Sequence, residues 1–230
     1  MGVTYFVTGT DTGVGKTLVS AGLLVAAGKM GKRTLGLKPL AAGCEKTPEG
    51  LRNEDALILL QAASIKLDYE LVNPVALEPA IAPHIAAERA LKGVTVSRLL
   101  GYCRGALLNK SDMALIEGAG GWRVPLNNRE TMADIVIALN LPVILVVAMK
   151  LGCLNQALLT AEAIRRDGLS LAGWVANTVD SPMEEYQANL DYLQSHLDCP
   201  LIGEVPGLTA PSAHEVAGYL NVNLLLKSAV

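Results

Sequence analysis

The chain opens with Thr4-Tyr5-Phe6-Val7-Thr8, a β-branched and aromatic run, and passes straight into Gly9-Thr10-Asp11-Thr12-Gly13-Val14-Gly15-Lys16-Thr17. A strand that ends in a glycine-rich loop closing on Gly-Lys-Thr, with a helix behind it, is a cradle for nucleotide phosphates. The loop N–H groups converge on the anion, Lys16 brings a point charge, and the Thr17 hydroxyl is placed to ligate Mg²⁺. The positive end of the following helix dipole adds to the field. Five residues rather than the usual four separate Gly9 from Gly15, and Thr10 stands where the strict pattern has glycine. Context therefore carries the reading: a strand-forming run before the loop and a helix-forming run after it, stopped by Gly31.

Working outward, short apolar runs alternate with helical patterns. Strands are predicted over 4–8, 34–37, 113–116, 143–148, 171–176 and 201–202. Helices are predicted over 16–30, 54–63, 96–109, 132–140, 155–166 and 183–197. This rhythm specifies an α/β domain, a mostly parallel sheet with helices on both faces. The 41–90 stretch breaks it, with Pro48, Pro74, Pro79 and Pro83 interrupting regular elements. It reads as an insertion over the ligand crevice. No linker divides the chain, so residues 1–230 are expected to form a single domain.

A hydrophobic content of 51% suffices to bury a sheet on both faces. The net charge of −3, with no long run of either sign, argues against a nucleic-acid or membrane-surface role. The longest apolar run, near 141–149, contains Pro142 and is far shorter than the roughly 20 residues of a membrane span. The amino terminus enters a strand at once, which predicts no signal peptide. Cys44, Cys103, Cys153 and Cys199 are scattered, with no Cys-x-x-Cys pair, which fits a reduced, cytoplasmic chain without a zinc site.

Ligands of such sheets lie beyond the carboxyl ends of the strands. There the sequence places the phosphate loop, Lys38-Pro39, Glu117-Gly118-Ala119-Gly120-Gly121, Lys150-Leu151-Gly152-Cys153 and Asn177-Thr178. Glu117, closing an apolar strand, is either positioned as a magnesium ligand opposite the phosphate loop or is an acidic residue of a solvated loop before a glycine turn. Gly118, Gly120 and Gly121 let backbone approach a phosphate. Lys38 either reaches transferring phosphoryl oxygens or a carbamate-like anion, or is a solvated strand-end lysine. Asp55, near the expected start of a helix, reads from spacing alone as a cap or first-turn residue rather than a metal ligand. Asn177-Thr178-Val179-Asp180 offers a side-chain amide suited to a purine edge. His84 is expected near the inserted region and His196 at a helix end, where it complements the dipole.

Taken together, these segments resemble the dethiobiotin synthetase family. The strings that carry the resemblance are GTDTGVGKT at Gly9, GLKPLAAG at Gly36, EKTPEGLRNEDA at Glu45, EGAGGW at Glu117, PVILVVAMKLGCLN at Pro142 and LAGWVANT at Leu171. They cover most of the chain in family order, and the lengthened loop is itself a family feature. The resemblance implies a P-loop NTPase-like domain and a reaction in which 7,8-diaminononanoate, CO₂ and ATP yield dethiobiotin through a carbamate and a carbamic-phosphoric anhydride.

Residue by residue, the resemblance implies that Lys16 and Lys38 stabilise the developing phosphoryl and carbamate charge and that Thr12 positions the carbamate. It assigns Mg²⁺ to Thr17, Asp55 and Glu117, overriding the spacing argument for Asp55. The nucleotide would lie against Gly13, Val14, Gly15, Gly118, Ala119 and Gly120. Adenine would meet Asn177 and Thr178, with backbone of Pro206, Gly207 and Leu208. The substrate carboxylate would be received by the helix-opening turn Gly152, Cys153, Leu154 and Asn155 of a neighbouring subunit, so a homodimer with shared sites is expected.

One departure stands out: Ala42 replaces the serine common in the family, removing one hydrogen bond worth roughly 0.5–1.5 kcal/mol. Gly13 replaces an acidic residue of some relatives. An alternative reading, a nucleotide-dependent switch or partitioning ATPase, would call for an additional lysine early in the loop, where Thr10 and Asp11 stand. A guanine-nucleotide protein is disfavoured because Thr178 replaces the lysine of its base-reading element.

Overall fold

The computed structural model describes residues 2–179 and 183–226. Asp180, the end of the Asn177-Thr178-Val179-Asp180 element, lies outside them. The centre of the molecule is a six-stranded sheet built from β1 (Val3–Gly9), β2 (Thr34–Leu37), β7 (Met113–Glu117), β8 (Val143–Ala148), β9 (Leu171–Asn177) and β10 (Leu201–Val205). All neighbours pair in parallel, in the order β10-β9-β8-β1-β7-β2. The chain winds outward from β1 to β2, returns to β7, then crosses to β8 on the other side of β1. The winding thus reverses at β1, the place where crossovers diverge and leave a crevice at the strand ends. The phosphate loop opens onto that crevice.

Strand alternation builds two cores. Tyr5, Val7, Met113, Leu115, Ile144 and Val146 face α1 (Lys16–Lys29) and the short carboxyl-terminal helices α9 (Ala213–Val216) and α10 (Asn223–Leu226). Phe6, Ala114, Ile116 and Val143 face the opposite layer, made by α5 (Val96–Leu107) and α6 (Met132–Leu139), while Leu145, Val147 and Trp174 meet α7 (Cys153–Arg166) and α8 (Tyr186–His196). Because both faces are covered, β7 and β8 are buried along their whole length, which explains their unbroken apolar runs.

The 41–90 stretch is more regular than its prolines suggest. It contains β3 (Leu40–Ala42) paired with β6 (Val75–Leu77), a hairpin of β4 (Glu45–Thr47) and β5 (Gly50–Arg52), and helices α2 (Glu54–Ala62), α3 (Tyr69–Val72) and α4 (Pro83–Arg89). Pro83 stands in the first turn of α4, where its missing N–H removes no helical hydrogen bond. Two boundaries also differ from expectation. Helix α7 begins at Cys153, two residues before the predicted start, because Gly152 takes the left-handed conformation at φ 94° and turns the chain immediately. Strand β10 continues to Val205, since its outer residues pair with β9 despite their polarity. Among the described residues no helix is long and apolar enough to cross a membrane.

Candidate active site

The loop after β1 carries its strain in glycines. Gly13 and Gly15 adopt φ 74° and 84°, and Gly15 caps α1 so that Lys16 and Thr17 form its first turn. A Cβ on Gly15 would come within 2.1 Å of the Asn177 Nδ2. That amide is buried and donates to the Val14 carbonyl at 2.8 Å, tying the loop to the end of β9. Val14 itself is buried under the loop.

Two lysines sit side by side beneath this loop. Lys16 is 7% exposed and Lys38 4%. The Lys38 Nζ donates to Glu117 Oε1 at 2.6 Å and to the Gly118 carbonyl at 3.0 Å, and pairs with Asp55 Oδ2 at 3.0 Å. Burial on its own would lower the Lys38 pKa. Glu117 and Asp55 outweigh burial and raise the Lys38 pKa above the ordinary lysine value, so Lys38 is a cation throughout the physiological range. Lys16 behaves in the opposite way. Burial first, then repulsion from Lys38, lowers its pKa to about 8, against weaker support from Glu117, Asp55 and Asp11. Among the described residues its Nζ has one hydrogen-bond partner, the Asp11 carbonyl at 3.3 Å. Of the two lysines it is the one without a carboxylate at ion-pair distance.

Asp55 stands at the start of a helix, where its spacing placed it. Asn53 caps α2, its side chain accepting from the Ala56 N–H at 3.2 Å, and Asp55 follows in the first turn. That turn points into the site. Burial pushes the Asp55 carboxyl up, but Lys38 and the neighbouring Thr17 hold it below the usual carboxylate range.

The Thr17 hydroxyl donates to Glu117 Oε1 at 2.8 Å, so Thr17, Asp55, Glu117 and Lys38 form one network. Within it, Glu117 Oε2 is buried with no hydrogen-bond partner among the described residues. An orphaned carboxylate oxygen beside a hydroxyl and a second carboxylate is a hard-oxygen donor set, which fits Mg²⁺. Among the described residues no group of three or more His, Cys, Asp and Glu side chains gathers as a metal centre. The fit rests instead on two carboxylates and an alcohol, leaving room for phosphate oxygens.

Thr12, Gly13, Gly15, Lys16, Thr17, Lys38, Ala42, Asp55, Ala119 and Gly120 line one cavity of about 950 Å³. Its remaining wall is largely apolar, from Ile58, Ile81, Pro83, Val124, Pro125, Pro211 and Ala213. Those residues had no signal in the sequence beyond their prolines, because apolar side chains that line a cavity read like core. Gly118 lies just behind, where a Cβ would meet the Phe6 ring at 2.8 Å. Thr178, Pro206 and Gly207 line a second cavity of about 420 Å³ with Met183, Tyr186, Glu204 and Tyr219, which sequence reasoning missed. Leu208 packs against the core instead. The turn Gly152, Cys153, Leu154 and Asn155 lines neither cavity of its own chain. It stands at an exposed corner where Leu151 is 94% exposed. One contact links that corner to the phosphate loop, Gln156 Nε2 to Asp11 Oδ2 at 3.4 Å. His196 is exposed in the last turn of α8, stacked on Tyr192 as a surface residue. His84 lies in α4 with a buried, unpartnered Nδ1.

A family model described as an AAA domain matches residues 3–214. An ATP-dependent dethiobiotin synthetase of Marinobacter nauticus is 56% identical, covering 98% of this chain and 98% of the relative. Those of Cellvibrio japonicus and Aeromonas hydrophila are 53% and 48% identical, each covering 96% of this chain and at least 97% of the relative. Among solved structures, the MinC:MinD cell division complex of Aquifex aeolicus aligns with a TM-score of 0.62 at 14% identity, covering 100% of this chain and 97% of that one. The septum site-determining protein MinD of Pyrococcus horikoshii, solved with Mg-ADP, aligns with a TM-score of 0.56 at 19% identity, covering 97% and 89%. These likenesses show the fold alone.

Proposed function

The chain belongs to the ATP-dependent dethiobiotin synthetase family, and from that premise we propose how its own residues carry the reaction. The activity is ATP-dependent dethiobiotin synthesis, a C–N bond-forming ring closure. One amine nitrogen of 7,8-diaminononanoate attacks CO₂ and loses a proton, giving a carbamate. A carbamate oxygen takes the γ-phosphoryl group of ATP and ADP leaves. The second amine attacks the resulting anhydride carbonyl, phosphate departs, and a proton is lost as the ring closes.

In this reading the loop N–H groups of residues 13–17 and the Lys16 ammonium hold the triphosphate. Lys38, kept cationic by Glu117 and Asp55, stands beside the phosphoryl oxygens and the carbamate. Thr12 orients the carbamate at the cavity mouth. The apolar wall of Ile58, Ile81 and Pro83 accepts the methylene chain of the diamine. Thr17, Asp55 and Glu117 would hold Mg²⁺, which when bound neutralises charge on the transferring phosphoryl group. No covalent nucleophile is required, since positioning and charge stabilisation suffice for phosphoryl transfer. The Asn177 amide keeps one N–H and its oxygen for the adenine edge while the other N–H closes the loop on Val14. Residues 1–230 act as one domain, with 41–90 walling the crevice. The Gly152–Asn155 turn serves the site of a second subunit, the Leu154 and Asn155 N–H groups at the start of α7 receiving the substrate carboxylate, while the Cys153 N–H is already given to the Lys150 carbonyl at 2.9 Å.

The observation that carries this reading is the Lys38 ammonium held 2.6 Å from Glu117 and 3.0 Å from Asp55 at the floor of the cavity that Lys16 and Thr17 also line. The purified protein is expected to consume ATP in proportion to added diaminononanoate and bicarbonate. Phosphate release that ignores the diamine would favour a switch-type ATPase.

A further inference from the structure

Lys38 is the first residue past the end of β2, and its backbone is held from outside the sheet. Its N–H donates to the Val72 carbonyl at 2.9 Å, and its carbonyl accepts from Asn73 Nδ2 at 2.6 Å. The other end of that side chain, Asn73 Oδ1, accepts from the Tyr69 hydroxyl at 3.0 Å. The same hydroxyl accepts the Asn53 backbone N–H at 2.7 Å. Asn53 caps the helix whose first turn carries Asp55. An unbroken chain of hydrogen bonds therefore runs from the Lys38 backbone to the start of α2, joining the two elements that bring Lys38 and Asp55 to their 3.0 Å contact.

The polarity of this chain is set throughout. Because Asn73 must present its NH₂ to a carbonyl, its oxygen must face Tyr69, and Tyr69 must donate to it. The one hydroxyl proton is thereby used, so Tyr69 can only accept from Asn53. Burial raises the Tyr69 pKa above the ordinary phenol value, so that proton is retained. All four residues are buried, at 8% exposure or less, where an unmade hydrogen bond is costly. The ring is held from outside by the Arg52 guanidinium, 4.2 Å from its centroid, and Arg52 is in turn paired with Glu70 at 3.1 Å. Neither Tyr69 nor Asn73 lines the cavity.

We propose that Tyr69 and Asn73 are positioning residues for the reaction, fixing the approach of Lys38 to Asp55 through the Asn73–Tyr69–Asn53 hydrogen-bond chain. The inference rests on the catalytic role proposed for Lys38. It makes the α3 segment, remote from the phosphate loop, part of the apparatus that aims the ammonium.

Tyr69→Phe keeps the ring under Arg52 and removes both hydrogen bonds of the hydroxyl. Tyr5→Phe is the matched control, since Tyr5 also makes a buried hydrogen bond, to the Leu225 carbonyl at 2.5 Å, in the core opposite α4 to α6. With saturating diamine and bicarbonate, Tyr69→Phe is expected to lower kcat about tenfold or more, a loss in keeping with a small misplacement of a reacting group. Its ATP dissociation constant and the KM for ATP should stay within about twofold of wild type, because the phosphate loop is not in the chain. Tyr5→Phe should lose comparable Tm with kcat unchanged. Equal kcat in the two variants at equal loss of Tm would overturn the proposal, as would a Tyr69→Phe defect confined to KM for ATP. Should Tyr69→Phe fail to fold, Asn73→Ser carries the same test, and an unchanged kcat there overturns it. A wild-type protein whose ATP consumption ignores the diamine removes the role of Lys38 and this inference with it, a result distinct from any variant outcome.

Discussion

Replacing Lys38 by Met keeps most of the side-chain volume and removes the charge, which isolates what the ammonium does. Three contacts vanish: Glu117 at 2.6 Å, Asp55 at 3.0 Å and the Gly118 carbonyl at 3.0 Å. Their consequences differ, because Glu117 is fully buried while Asp55 is 41% exposed and remains solvated. The loss at Asp55 is therefore small, about 1 kcal/mol or less. The carboxylate of Glu117 is left with the Thr17 hydroxyl as its remaining partner. Removing one member of a buried pair costs about 3–5 kcal/mol. For a chain of 230 residues, roughly 2 °C per kcal/mol translates this into a Tm loss of about 6–10 °C at pH 7. Differential scanning calorimetry of the ligand-free protein measures it. Diamine-dependent turnover should be lost, with ATP affinity within severalfold of wild type by titration calorimetry. The double variant Lys38→Met/Glu117→Gln, which leaves no unpaired carboxylate at position 117, should recover most of the Tm at pH 7 and none of the turnover. A single variant as stable as wild type at pH 7 would refute the buried-pair argument. Normal turnover would remove Lys38 from the mechanism.

Other outcomes follow from the same site. Because Lys16 titrates near 8, ATP affinity should fall about tenfold between pH 7 and pH 9 as the ammonium is lost, with proton uptake on binding above pH 8; a flat profile in titration calorimetry would contradict it. In the unliganded protein the sign reverses. The Lys16 pKa in the fold, about 8, lies below its ordinary value of 10.5, so its contribution to stability grows as pH rises through that window, where the unfolded chain binds the additional proton. Gly15→Ala should cost more Tm and more ATP affinity than Gly13→Ala. Both need a positive φ, yet a Cβ at Gly13 meets open space while one at Gly15 strikes the Asn177 amide; equal losses in calorimetry and nucleotide titration would show that the clash relaxes freely. Leu151→Asp, at the exposed corner beside the Gly152–Asn155 turn, should lower the sedimentation mass toward the monomer and diamine turnover together. A fully active monomer by analytical ultracentrifugation would contradict the shared site.

Much of this is legible in the sequence. Strand periodicity, the glycines of the loop, and the polar or glycine-rich residue after each strand are local properties, written over a few consecutive positions. They were enough to order the elements, to place a phosphate cradle at Gly9–Thr17, and to single out Lys38 and Glu117 as strand-end chemistry. Proline content misled in the 41–90 stretch, because Pro83 at the start of α4 and Pro74 just before β6 punctuate short elements rather than abolish them. Asp55 shows the limit most clearly. A first-turn aspartate looks the same in sequence whether it serves its own helix or another element, since only the helix's direction distinguishes them.

That direction belongs to the tertiary structure. The chain's residues by themselves determined an alternating parallel α/β architecture and a nucleotide-phosphate loop, because both depend on near neighbours and on backbone freedom at glycine. Only folding decided that β1 lies between β7 and β8, that Asp55 meets Lys38 across 17 residues of chain, and that Glu117 is sealed from water beneath them. The charge states of Lys16 and Lys38 follow from those long-range contacts. Two lysines of the same intrinsic basicity are driven apart by what the fold places within a few ångströms of each: carboxylates beside one, and for the other burial and the cationic charge of the first.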